Sequence, residues 1–328
     1  MATTSLALNI SIFGEDSNMN QKGKIMDTGK IWQSPFTQKS MVKPRMGEVT
    51  PFVFKDRLYL LENYYKFFDL SQGEPGQKIE EDRARIWDVE ADKEISSAIV
   101  GHGFASAFVW EDKVYVFAGM QRANTPWRKI TEIAVTSSSD LVHWTQPKVI
   151  IRAEKGEHVF NTAICRGKDK FVLLYETDDR RWPAFTFKYL VSDNLLDWTY
   201  VPDAIYGREK YVGGPALYYE NECYYTLYLQ DLGGKWETRI TRSKDLRHWQ
   251  DALTERPFIT YDSKRSMSYW EKGQLKTVKE INASDVELCY WKGKTLVYFN
   301  GGDQQNSGDL QLAEFDGTPQ KLFEKFYE

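Results

Sequence analysis

Cysteine is scarce in this chain of 328 residues: Cys165, Cys223 and Cys289 are the only three. An odd number with no Cys-x-x-Cys or Cys/His spacing argues against a disulfide framework or a zinc site. Buried thiols in a reducing compartment are expected instead. Long apolar runs are also lacking, none approaching the roughly 20 residues that a membrane span needs. Neither sign of charge dominates. The 43 Lys and Arg against 47 Asp and Glu leave a formal net charge of −4, which gives no footprint for nucleic acid or acidic lipid. The N-terminus has no Lys or Arg ahead of its weak apolar run Ser5-Leu6-Ala7-Leu8-Asn9-Ile10. That is a poor secretory signal, so a soluble, cytoplasmic protein is expected, or a periplasmic or secreted one if a leader is processed away.

Aromatic residues are abundant at 15%, with 19 Tyr, 18 Phe and 11 Trp, and they favour pleated, half-buried surfaces. Three stretches share the pattern Ser-x-(Asp/Asn)-Leu-x-x-Trp: Ser138 to Trp144, Ser192 to Trp198 and Ser243 to Trp249. Their Trp residues are 54 and 51 positions apart. Each follows a short apolar run, which makes it an outer hairpin turn. Ser and Asp/Asn would bond backbone groups, while Leu and Trp fill the gap to a neighbouring unit. A period near fifty with every repeat built of strands predicts an all-β, five-bladed β-propeller, with four-stranded antiparallel blades around a central funnel.

A second repeat precedes the Trp turns: an apolar strand, a tight polar turn and another apolar strand. Its copies begin at Glu48, Phe104, Asn161, Gly214 and Asp285, turning near Asp56, Asp112, Lys168, Asn221 and Gly293. Five inner hairpins followed by outer hairpins give blades at about 45–100, 101–153, 154–208, 209–262 and 280–328. Residues 1–44 are a lead-in or ring-closing segment, and 263–279 a polar loop insertion over one face.

Aligning the copies on the inner turn places equivalent residues at equivalent heights. Nine residues before Arg57, Lys113, Cys223 and Lys294 lie Glu48, Phe104, Gly214 and Asp285. In the third copy the turn is longer, and the equivalent falls between Val159 and Asn161. His102 and Glu157-His158 lie just before this level, and the returning strands end nearby at Asn63, Arg122, Glu176 and Asp303. Tyr64, Tyr65, Trp127, Trp182 and Trp270 are available to stack on sugar rings. Carboxylates crowded around one axis repel, so some should hold a proton at neutral pH, as glycoside hydrolysis requires.

These turns and inner hairpins, such as Gly214-Pro215-Ala216-Leu217-Tyr218-Tyr219, resemble those of the five-bladed propeller glycosidases. That superfamily includes glycoside hydrolase family 43 and its relatives in families 32, 117 and 130. The resemblance covers about residues 45–328. It implies a base on blade one, a pKa-setting carboxylate on blade two and an acid Glu on blade three. Glu48 matches the first place, as Glu instead of Asp. Phe104 occupies the second, a departure from the pattern, and Glu157 approximately matches the third. Gly213-Gly214-Pro215 is similar to the family's Glu-Gly-Pro with the Glu absent.

The expected function is an exo-acting, inverting glycoside hydrolase on a plant or algal oligosaccharide. Glu48 would be the base, Glu157 or else Glu176 the acid, and Asp285 a substrate-orienting or pKa-setting group. His102, His158, Asn161, Asn63, Arg122, Asp303 and Trp270 are the candidate substrate-binding residues. No cofactor is required, although a structural cation in the central channel is compatible with such a ring. The alternatives are a glycoside phosphorylase, with Arg122, His102 and Arg265 converging on phosphate, and a carbohydrate-binding propeller without catalysis. The sequence leaves the oligomeric state open.

Overall fold

The computed structural model describes residues 32–44, 46, 48–64, 82–120, 129–183, 185–271, 274–303 and 308–328. Arg122, Tyr65 and Trp127 lie outside them. The strands are β1 (Gln38–Pro44), β2 (Val49–Phe54), β3 (Arg57–Tyr64), β4 (Arg83–Asp88), β5 (Lys93–Val100), β6 (His102–Trp110), β7 (Lys113–Met120), β8 (Glu132–Ser138), β9 (Lys148–Arg152), β10 (Val159–Arg166), β11 (Phe171–Thr177), β12 (Thr186–Ser192), β13 (Thr199–Tyr206), β14 (Gly213–Glu220), β15 (Cys223–Asp231), β16 (Trp236–Ser243), β17 (Trp249–Asp251), β18 (Ser266–Glu271), β19 (Gln274–Lys279), β20 (Asn282–Trp291), β21 (Lys294–Gly302) and β22 (Asp309–Phe315). One short helix, α1 (Pro319–Glu324), follows. None of the described helices is long and apolar enough to cross a membrane.

Sheets I (β2–β5), II (β6–β9) and III (β10–β13) are four-stranded and antiparallel. Eight of the remaining strands form one sheet made of two four-stranded groups, and β18 and β19 pair separately. Group IV is β14–β17, and group V is β20, β21, β22 and β1, the two being joined by the parallel pairing of Trp236 with Asn282. The fourth strand of group V is therefore β1, paired antiparallel with β22. The chain after β22 instead turns helical: Thr318 caps α1, and Phe323 stacks on Tyr225 at 4.7 Å. The stretch expected to be a loop insertion is a hairpin, β18–β19. Its two strands pair in antiparallel register from Ser266 with Lys279 to Glu271 with Gln274.

The first strands touch in cyclic order: β2 to β6, β6 to β10, β10 to β14, β14 to β20 and β20 back to β2. The apolar cores lie between adjacent sheets. Phe52 and Ile86 meet Val116 between I and II, and Phe117 meets Leu173 between II and III. Leu174 and Tyr189 meet Leu217 between III and IV, and Leu60 meets Tyr298 between I and V. The inner turns carry left-handed backbone at Lys55-Asp56, Asn221-Glu222 and Lys292-Gly293, the twist that a two-residue hairpin demands.

The repeated Trp turns share the same Ser and Asp/Asn hydrogen bonds to backbone. In each, the Ser hydroxyl accepts the N–H of Leu141, Leu195 or Leu246 at 2.9–3.0 Å. The Asp/Asn Oδ1 accepts the next two N–H groups. All three Leu have φ 65°, a cost for a non-glycine residue. It is offset because that geometry plants Leu in the core facing the preceding sheet. Trp198 follows it there, edge-on to Phe117 at 6.1 Å, with its indole N–H on the Leu195 carbonyl at 3.1 Å. Trp198→Ala should therefore cost about 3 kcal/mol in urea unfolding. A loss near zero would deny the turn its packing role.

Candidate active site

At one end of the ring of first strands, the chain breaks its ladder. Register shifts fall between Gly103 and Ser106, Val159 and Thr162, Gly213 and Ala216, and Ser284 and Glu287. Three of the aligned positions, Phe104, Gly214 and Asp285, have φ of 57°, 50° and 52°. Bulges at one height re-aim one side chain per strand, so this level is set apart from the regular pleat. It surrounds a cavity of about 20 Å³, room for about one water. Glu48, Asn63, Asn161, Gly214, Asp285 and Glu287 are among its lining residues.

Glu48 precedes β2, and its carbonyl accepts the N–H of Asn63 at 2.8 Å. Burial first, then the charges of Asp285 and Glu176, push its carboxyl well above the usual range. Burial also raises Asp285, opposed by the Ser284 hydroxyl that donates to its Oδ2. Glu176, buried on β11, accepts the Gly214 N–H at 2.9 Å and the Asn161 amide at 3.4 Å. Three carboxyls from three sheets thus gather around one small volume, where burial first and then the charges of Asp285 and Glu176 favour the protonated form of Glu48.

Gly214 is required here for space. A Cβ on it would stand 2.6 Å from Asp285 Oδ1, and its φ is left-handed. Gly214→Ala should displace the Asp285 carboxylate and lower turnover by about 10²-fold, with the thermal transition reporting that the fold survives. Normal turnover would exclude Asp285 from the chemistry. At Gly213, where the Glu of Glu-Gly-Pro would stand, an added Cβ meets the Tyr211 hydroxyl at 2.9 Å. The Glu176 carboxylate reaches this corner from the neighbouring strand instead.

The other sequence candidates fall elsewhere. Glu157 is buried in an ion cluster with Lys188, Asp179, Arg181 and Glu154, and does not line the cavity. His158 gives its backbone N–H and Nδ1 to Asp178, both at 2.7 Å. His102 Nδ1 meets the Val100 carbonyl at 2.7 Å and must therefore carry its proton there. Burial lowers its pKa, and its Nε2 has no hydrogen-bond partner among the described residues. Asn63 clips sheet I to sheet II by bonding both backbone groups of Ala105, at 2.7 and 3.0 Å. Asp303 directly follows β21, and Trp270 is on β18.

Glu287 was not a sequence candidate. It sits in the fifth first strand two residues past Asp285, on the far side of the bulge between Ser284 and Glu287, so the alternation of a regular strand gave no signal for it. Its carboxyl is pushed up to about 8, by burial first and by Asp285 in addition, against the Tyr218 hydroxyl that donates to it at 2.8 Å. Cys165, Cys223 and Cys289 are all free thiols. No group of three or more His, Cys, Asp or Glu suited to a metal occurs among the described residues.

The sequence matches no family model and no curated protein. Solved structures do match. A variant of the GH43 protein BlXynB from Bacillus licheniformis is similar with a TM-score of 0.57 at 14% identity, over 83% of this chain and 54% of that one. This chain thus spans about half the length of that protein. The α-L-arabinofuranosidase from Lactobacillus brevis is similar with a TM-score of 0.58 at 8% identity, over 85% and 94% of the two chains. An exo-1,5-α-L-arabinanase from a bovine ruminal metagenomic library gives 0.55 at 9% identity, over 84% and 94%. This chain has the fold of the family 43 glycoside hydrolases.

Proposed function

We propose that sheets I–III and groups IV and V are the blades of a five-bladed propeller around a central funnel, and that the protein is a glycoside hydrolase. Its substrate would be an arabinan- or xylan-type oligosaccharide of plant or algal origin. The observation that carries this reading is the meeting of Glu48 and Asp285 at a cavity sized for one water, with Glu176 acting on Glu48 and bonded to the Gly214 N–H beside it, in a fold shared with a GH43 protein, an α-L-arabinofuranosidase and an exo-1,5-α-L-arabinanase. An inverting, exo-acting reaction suits such a site, since the base must hold a single water against the sugar.

The electrostatics support roles different from those expected of the sequence. Glu48, buried and flanked by Asp285 and Glu176, has its carboxyl well above the usual range, holds the proton and acts as the acid on the leaving oxygen. Asp285, whose ionised form gains a hydrogen bond from Ser284, is the base that takes a proton from water. Glu176, fixed by the Gly214 N–H, maintains the repulsion that keeps Glu48 protonated. Glu157 drops out of the acid role because its carboxyl is engaged by Lys188.

Phosphorolysis would call for cations at the cavity. None lines it among the described residues, and Arg265 is held by Glu280 at 2.6 Å and Asp309 at 2.8 Å. The test is release of reducing sugar from arabinan- and xylan-derived oligosaccharides, with and without inorganic phosphate. Hydrolysis independent of phosphate supports the reading. Dependence on phosphate, or binding with no turnover, overturns it.

A further inference from the structure

Behind the site cavity lies a larger one. A channel of about 320 Å³ runs between the first strands and is lined from all five of them. The two spaces share two wall residues, Thr50 and Glu287. Glu287 thus stands with Glu48 and Asp285 on one side and the axial channel on the other. The partner that fixes it comes from β14. The Tyr218 hydroxyl accepts the Leu288 N–H at 2.8 Å, which leaves its single proton for Glu287 Oε2, also at 2.8 Å. The Tyr218 ring is itself braced by Phe323 at 5.6 Å.

We propose that Glu287 is a positioning residue of the site, a carboxyl that meets solvent through the axial channel and sets from behind the charge borne by the Glu48–Asp285 pair in front. The inference rests on the reading of that pair as the reacting carboxyls. The titratable groups around Glu287 are Tyr218 from β14, Asp285 and Cys289 from its own strand and Glu48 across the cavity, with Cys165, Tyr219 and Glu220 further along the channel wall. No cation offsets them at this level among the described lining residues. Arg166, the cation lining the channel, is packed over Trp110 at 5.4 Å and Phe171 at 4.5 Å.

The consequence follows from reciprocity. Asp285 raises Glu287, so an ionised Glu287 raises Asp285 by the same coupling. With its titration near 8, Glu287 is neutral through the acid and neutral range. A single negative charge is then left in front, as an acid–base pair needs. Above that pH a second negative charge appears behind Asp285. A sugar plugging the front does not isolate Glu287, because the channel remains a route for its proton.

The test follows the Glu287 carboxyl by 13C NMR across pH 4–10, a range chosen to span about 4 to 8 and beyond. In the wild type it should titrate near 8. In Asp285→Asn it should titrate lower by about half a pH unit or more, the lost coupling. In Tyr218→Phe it should titrate higher, because the phenol favours the ionised form. Thermal transitions at pH 5, where Glu287 is protonated, report whether each variant folds. Tyr218→Phe carries the test should Asp285→Asn not fold. An ordinary carboxylate titration in the wild type, or the same titration in folded Asp285→Asn, overturns the proposal. Should the NMR shifts appear while no glycoside is cleaved, the hydrolase reading fails and the coupling stands.

Discussion

Glu48→Gln should lower hydrolysis by about 10²–10⁴-fold while leaving sugar binding intact, because Gln keeps the shape and cannot carry the proton. The loss should shrink on aryl glycosides with a good leaving group, which need little protonation to depart. The loss in Asp285→Asn should persist on the same substrates, because water still needs a base. The reverse pattern would return Glu48 to the base role, and full activity of Glu48→Gln on oligosaccharides would remove it from the mechanism. The pH profile carries the same sign. As acid, Glu48 must stay protonated, so activity falls as pH rises through its raised pKa. As base, Asp285 must be ionised, so activity falls as pH drops through a pKa itself raised by burial. Both limbs should lie above those of two ordinary carboxyls.

Lys188→Ala should be the most damaging substitution outside the site, at about 3–5 kcal/mol in urea unfolding. Lys188 Nζ is buried against Glu157 and lies 3.1 Å from Asp179 and 3.4 Å from Glu154. Burial alone would lower its pKa, but Glu157 and Asp179 outweigh burial and raise it. Removing the ammonium leaves Arg181, 2.6 Å from Asp179 and 3.4 Å from Glu157, as the one cation on these two buried carboxylates among the described residues. Burial pushes Asp179 up, yet Arg181 and Lys188 hold it below its ordinary value. A depressed carboxylate contributes stability above its unfolded pKa and loses it as pH falls. The gap between wild type and Lys188→Ala should therefore narrow in acid. A gap that stays constant down to pH ~2, below the ordinary Asp value, would show that the cluster is not electrostatic.

Much of the architecture was legible in local signals. The Ser-x-(Asp/Asn)-Leu-x-x-Trp turns are self-contained hydrogen-bonded units, so three copies located three outer hairpins and their spacing gave the period. The inner turns did the same for the first two strands of each sheet. The polar hairpin β18–β19 was less legible, because it lacks the apolar alternation that marks a half-buried strand. The pairing of β1 with β22 joins residues more than 260 positions apart, beyond what local patterning encodes.

The candidate site divides along the same line. Counting back from the inner turns sufficed to pick out Glu48, Asp285 and Gly214, since equal strand lengths bring equal heights. Tertiary structure alone decided what those residues do. The bulges that turn Asp285 into the cavity are backbone events specified by packing against neighbouring strands. Whether a Glu is an acid or half of an ion pair depends on which distant side chains approach it. Glu157 and Glu176 look alike in sequence, one beside a His and the other on an apolar strand. Lys188, 31 positions further on, claims the first, and the Gly214 N–H, 38 positions away, holds the second at the site. By itself, the sequence determined the repeats, the turns and the heights of the carboxyls, because these depend on neighbours along the chain. The fold decided their charge, because protonation depends on burial and on neighbours across space.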